Sequence, residues 1–306
     1  MMEANRIAYG KALAELGKVN DKIVVLDADL GKATNTIKFK DVAPDRYLDC
    51  GIAEQNMIGI AAGLATTGKI AFASTFAVFA SLRALEQVRN SICYPNLNVK
   101  VVATHAGIET GGDGASHQAI EDIATMRCLP NMKVLVPSDH ISTNKLVKVL
   151  SEEYGPMYMR VGRDANEALY AADEQFFIGG SKELVSGDYA TVIACGTMVY
   201  QAREAASKLA AEGINIRVID MYSIKPLDEA AIIKAAKETK GIVTIEDHNI
   251  IGGLGSAVCE VVSFAAPTKV IRLGVQDKFG RSGSANELFQ FYGLTADAIM
   301  DAVKTL

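Results

Sequence analysis

From Cys50 to Leu82 the chain carries one carboxylate, Glu54, in "CGIAEQNMIGIAAGLATTG" and the "KIAFASTFAVFASL" that follows, among side chains that are nearly all apolar or small. An acid in such surroundings costs free energy to bury as an ion, so it needs a partner or a task. A second cluster lies in "VVATHAGIETGGDGASHQ", where His105 and His117, two of only four histidines, flank Asp113. Two imidazoles with an aspartate between them suit a polar pocket for hydroxyl or phosphate groups. No third His or Cys stands at ligand spacing, so no metal site is expected. Arg160 and Arg163 end the stretch "MYMRVGR", where forked donors either grip an anion or face solvent. Phe76, Phe79 and Leu82 recur at i, i+3 and i+6. Such a stripe is core packing or a platform for a flat heterocycle.

These residues need elements to hold them. Short β-branched runs, "KIVVLDADL", "KIAFASTF", "VKVVATHAG", "KVLVPSD", "YATVIACGT", "INIRVIDMY", "GIVTIEDH" and "KVIRLGV", alternate with stretches of helical apolar spacing. The helical stretches are 52–67, 76–94, 117–128 and 142–153. Alternating strands and helices predict parallel α/β layers. "GGDGASHQAIED" then reads as a strand-to-helix loop, where α/β sheets place ligands, or as a plain glycine-rich turn with Asp113 or Ser116 as helix cap. In "DHNIIGGLGSAVCE" the spacing is not that of a dinucleotide loop, and Gly252, Gly253 and Gly255 read as packing residues. Polar and small residues over 165–187 suggest a linker between two α/β domains, 1–168 and a smaller 187–306.

Length agrees, since 306 residues exceed what one core usually supports. A net charge of -5 leaves no basic stripe, which argues against nucleic acid as a partner. The five scattered cysteines include no C-x-x-C pair and read as reduced, buried thiols. The start "MMEANRIAYGKALAELG" lacks the apolar region of an export signal, and no apolar run approaches ~18 residues. A cytoplasmic protein without membrane contact is expected.

Taken in order, "RIAYGKALAELG", "CGIAEQNMIGIAAGLATTG", "STFAVF", "THAGIETGGDGASHQAIEDIATMRCLPNMKVLVPSD" and "GGLGSAV" resemble the transketolase family over nearly the whole chain. The resemblance covers the pyrimidine-binding and C-terminal domains and not the N-terminal domain that holds the diphosphate and metal of thiamine diphosphate. Gly112-Asp113-Gly114 is not the diphosphate motif, because no suitable asparagine pair follows, and in the family this later G-D-G belongs to the substrate pocket.

The resemblance therefore implies the C-terminal subunit of a split transketolase, moving a two-carbon ketol unit between sugars. A partner N-terminal subunit would bind the diphosphate with Mg2+ or Ca2+, with two copies of each subunit. It implies that Glu54 shares a proton with the pyrimidine ring nitrogen of thiamine diphosphate. Phe79 would stack on that ring, Phe76 would line its pocket, and Leu82 would stand where some relatives place a tyrosine. His117 and Asp113 would contact the hydroxyls beside the reacting carbonyl, while His105, Arg163 and Arg6 would hold the distal phosphate. Ala33 falls where many relatives have a phosphate-binding serine. Within the same chemistry, a deoxyxylulose-phosphate-synthase-like chain and a 2-oxoacid dehydrogenase beta subunit are rivals. A non-catalytic regulatory subunit that keeps the fold is a third.

Overall fold

The computed structural model describes residues 2–306. Among them, a seven-stranded sheet runs in the order Ser223–Lys225, Lys133–Leu135, Met157–Arg160, Val99–Thr104, Ile70–Phe76, Ile23–Asp27, Tyr47–Asp49. All its pairings are parallel except that of Ser223–Lys225 with Lys133–Leu135. Both faces are covered, and residue alternation along the strands shows how. Ile23 and Val25 pack with Tyr9, Leu13, Leu146 and Leu150 of helices Asn5–Val19 and His140–Glu152. Val24 and Leu26 point the other way, onto Met57, Ile58 and Ala61 of helix Glu54–Thr66.

The second sheet has the order Val270–Val275, Ile242–Asn249, Thr191–Ala194, Arg217–Asp220, Lys182–Val185, the last antiparallel. Val192 and Ala194 meet helices Met198–Ala211 and Ala296–Lys304, while Ile193 faces the opposite layer. That layer, with Leu254 and Val258 of helix Leu254–Ala265, is continuous with the core of the first sheet. Two three-layer α/β units thus share apolar surface. No helix of the described residues is long and apolar enough to cross a membrane.

The stretch 165–187 is more ordered than a linker. Ala165–Asn166 pairs with Glu3–Ala4, and Lys182–Val185 is the edge strand of the second sheet. Strands this short carry too few residues to show a period. The helix expected from His117 begins only at Asp122, because Ile108–Asp113 forms a 3-10 turn and Ala119 bridges to Ala106 instead. Neither Asp113 nor Ser116 caps that helix. Cys93 and Cys195 are buried, whereas Cys128 is exposed, contrary to the expectation for all five thiols. Gly253 packs as expected: a Cβ there would lie 2.0 Å from the Glu246 carboxylate, which accepts from the amides of Leu254 and Gly255.

Candidate active site

Glu54 opens helix Glu54–Thr66, where the first-turn amides favour a negative charge, and is only 1% exposed. Its surroundings are not wholly apolar. Arg83 donates to Glu54 Oε2 at 2.7 Å, and Thr75 Oγ1 donates to Oε1 at 3.5 Å. Arg83 follows Phe79 by four residues within the π-helical turn Phe79–Arg83, so the two side chains share a face. Its guanidinium carbon lies 4.3 Å from the centre of the Phe79 ring. Phe76, at the end of its strand, lies parallel to Phe79 with ring centres 6.0 Å apart. Leu82 departs from that stripe and is 46% exposed.

The two histidines converge on these rings. The His105 ring lies 4.0 Å from that of Phe76, and the His117 ring stands edge-on to Phe79 at 5.4 Å. His105 follows strand Val99–Thr104 with φ +55, a left-handed conformation uncommon for a residue with a side chain. Its Nδ1 is 2.9 Å from Thr104 Oγ1 and its carbonyl accepts from Thr110 Oγ1 at 2.8 Å. Burial first, then the nearby Arg6 and Arg163 charges, push His105 down to about 4, so at neutral pH it is uncharged. Asp113 is exposed at the rim of the same loop.

Arg6 and Arg163 are less free than an anion clamp requires. Arg163 NH1 donates to the Thr110 carbonyl, and Arg6 donates to the carbonyls of Arg163 (3.3 Å) and Ala33 (3.2 Å). The Ala33 position therefore touches Arg6 through its backbone. Arg160 is spent entirely inside the protein. Its Nε pairs with the buried Asp122 at 2.8 Å and its NH2 donates to the carbonyls of Asp247 and Ala119.

Sequence reasoning missed Arg83 and Asp247. Asp247, fully enclosed in strand Ile242–Asn249, accepts from the amides of Ile108 (2.8 Å) and Glu109 (3.1 Å). The second sheet thereby holds the His105–Asp113 loop. Gln118 adds a tie by donating to the Arg281 carbonyl at 2.9 Å. The only sequence signal for Asp247 is its place in "IEDH", where two adjacent acids and a histidine follow the β-branched run that starts the strand.

A groove of about 710 Å³ lies elsewhere, between Arg127, Lys225, Glu260 and Phe264, and includes none of these residues. Phe79 is half-buried, and Ile52, two residues before Glu54, is 78% exposed. A buried carboxylate beside an aromatic face, with two imidazole rings against the same pair of phenylalanines, can hold a flat ring bearing a protonated nitrogen. Arg83 shows the fit: a flat cation rests on Phe79 and pairs with Glu54.

Residues 2–167 match the family model of the transketolase pyrimidine-binding domain, and residues 179–299 match that of the transketolase C-terminal domain. The chain is 51% identical to a putative transketolase C-terminal section of Methanocaldococcus jannaschii, over 96% of this chain and 93% of that one. It is 42% identical to transketolase-like protein 2 of Mus musculus over 99% of its length, and spans 48% of that protein. The chain thus spans about half the length of the mammalian relatives it matches. Among solved structures, a split-gene transketolase described as an inactive beta4 tetramer superposes with a TM-score of 0.91 at 51% identity, covering 99% of this chain and 97% of that one.

Proposed function

The chain belongs to the transketolase family, and from that premise we propose that it supplies the pyrimidine-binding half of a split enzyme moving a two-carbon ketol unit from a ketose to an aldose. The observation that carries this reading is the buried Glu54 carboxylate beside the Phe79 ring, with a flat cation fitted against both. When bound, thiamine diphosphate supplies the carbanion that breaks and remakes the carbon–carbon bond. Glu54 holds a proton at the ring nitrogen of its aminopyrimidine and returns it, as general acid and base. Phe79 and Phe76 support the ring and exclude water from one side.

His117 and Asp113 orient substrate hydroxyls from the loop rim. His105, kept neutral by burial and by the neighbouring guanidinium groups, offers a hydrogen bond without adding charge. Arg6 and Arg163 supply the positive field for the distal anion of the substrate, with only part of their N–H groups available.

The diphosphate and its Mg2+ or Ca2+ fall to an N-terminal transketolase section, which would also cover the exposed Ile52. Two copies of each chain around a two-fold axis fit this division. The relative that forms an inactive tetramer alone supports the need for a partner. A cytoplasmic setting is part of the reading, supported by five unpaired thiols.

Calorimetry and a ketol-transfer assay test the proposal on this chain alone and mixed with such a section. Tight cofactor binding and transfer are expected only in the mixture. Tight, magnesium-dependent binding of thiamine diphosphate by this chain alone would overturn the split arrangement.

A further inference from the structure

We infer that Arg83 is a built-in stand-in for the cofactor's aminopyrimidine, closing the site in the unpartnered chain and leaving when the ring enters. The inference rests on the pyrimidine reading of the Glu54–Phe79 shelf and goes beyond it. Its basis is that a single side chain makes both contacts the ring would need. The guanidinium is flat and cationic, as a protonated aminopyrimidine is. It stacks over Phe79 with its carbon 4.3 Å from the ring centre and donates to Glu54 Oε2 at 2.7 Å. Both contacts follow from the π-helical turn Phe79–Arg83, which puts Arg83 above Phe79 and within reach of a carboxylate 29 residues earlier.

The energetics favour exchange over vacancy. Glu54 is 1% exposed, and a buried carboxylate stripped of its only ionic partner is left uncompensated. Replacing one cation by another avoids that state. Arg83 can leave without disturbing the core, because its side chain is 46% exposed whereas that of Glu54 is enclosed. The pair is therefore a sprung closure: the carboxylate stays and the cation changes.

The test uses the full isolated chain and two small probes. Thiamine carries the aminopyrimidine without the diphosphate, and methylguanidinium is the severed head of the arginine. Binding is read by titration NMR and calorimetry on wild type, Arg83→Ala and the double variant Arg83→Ala with Glu54→Gln. The expected result is that wild type binds neither probe, that Arg83→Ala binds both at least 10-fold more tightly and in competition, and that the double variant loses the gain. Wild type binding thiamine as tightly as Arg83→Ala would overturn the closure while leaving the pyrimidine site standing. Methylguanidinium bound by Arg83→Ala without thiamine would show a cation slot that is not a pyrimidine site, overturning the reading beneath it. No gain for either probe in a folded Arg83→Ala, checked by circular dichroism, would overturn the inference itself.

Discussion

Gly107→Ala is the most demanding test of how the second sheet holds the substrate loop. Gly107 has φ 74 and ψ -172, a region essentially closed to residues with a Cβ. The strain of forcing alanine there is of order 1–3 kcal/mol. The methyl would also lie 2.1 Å from Asp247 Oδ2 and 2.4 Å from its Cγ, so the enclosed carboxylate must move. Moving it breaks hydrogen bonds from Ile108 (2.8 Å) and Glu109 (3.1 Å), worth roughly 1.5–3 kcal/mol each for a charged acceptor. Allowing for relaxation, a loss of about 4 kcal/mol or more is expected. The control is Gly63→Ala inside helix Glu54–Thr66, where an added Cβ meets nothing within 4 Å and the helix should gain about 0.5–1 kcal/mol. Urea unfolding by circular dichroism, with amide exchange at Ile108 and Glu109, measures both. Unfolding of Gly107→Ala within about 1 kcal/mol of wild type, with those two amides still protected, would refute the clamp.

Three further outcomes are expected. Glu54→Gln in the reconstituted enzyme should lower turnover about 100-fold or more at saturating cofactor while the fold is retained, the scale of lost acid-base catalysis; steady-state kinetics with a melting curve checks this. His105→Gln should change acid sensitivity. Because the folded His105 sits at about 4, below its ordinary 6.5, its stabilisation is complete above the ordinary value and lost as pH falls towards 4. Wild type should therefore lose roughly 2–3 kcal/mol more than the variant between pH 7 and pH 4, at about 1.4 kcal/mol per tenfold change in proton affinity. Glu109, raised by burial to about 7, works in the opposite direction in both proteins and cancels from the difference; parallel pH profiles of urea midpoints would contradict the assignment. Arg163→Ala should weaken transition-state binding of a phosphorylated sugar by about 1.5–3 kcal/mol. Since Arg163 also holds the Thr110 carbonyl, a smaller loss on hydroxypyruvate is expected too, and equal losses on both in kcat/KM would remove it from anion recognition.

What the sequence makes legible is local. Strand alternation between Val24 and Val25 and the stripe of Phe76 and Phe79 are set by neighbours within a few residues, so periodicity exposes them. The family resemblance named the loop residues, and the structure brings His105, His117, Phe76 and Phe79 together. What stays hidden is pairing across long stretches of chain. Glu54 reads as an acid in apolar surroundings because its partner, Arg83, lies 29 residues on, in a turn whose π form no spacing rule announces. Arg160 reads as an anion-gripping or surface charge until Asp122 and the Asp247 carbonyl absorb its donors.

Asp247 stands 139 residues from the amide it receives, across the boundary between the two sheets. That long tie gives the second unit a part in shaping the site. A domain that served only for assembly would not need a carboxylate buried against Gly107, where an added methyl group would collide with it. Strand Ile242–Asn249 holds the loop that begins at His105, so the geometry facing the Glu54 shelf is fixed partly from the C-terminal side of the chain.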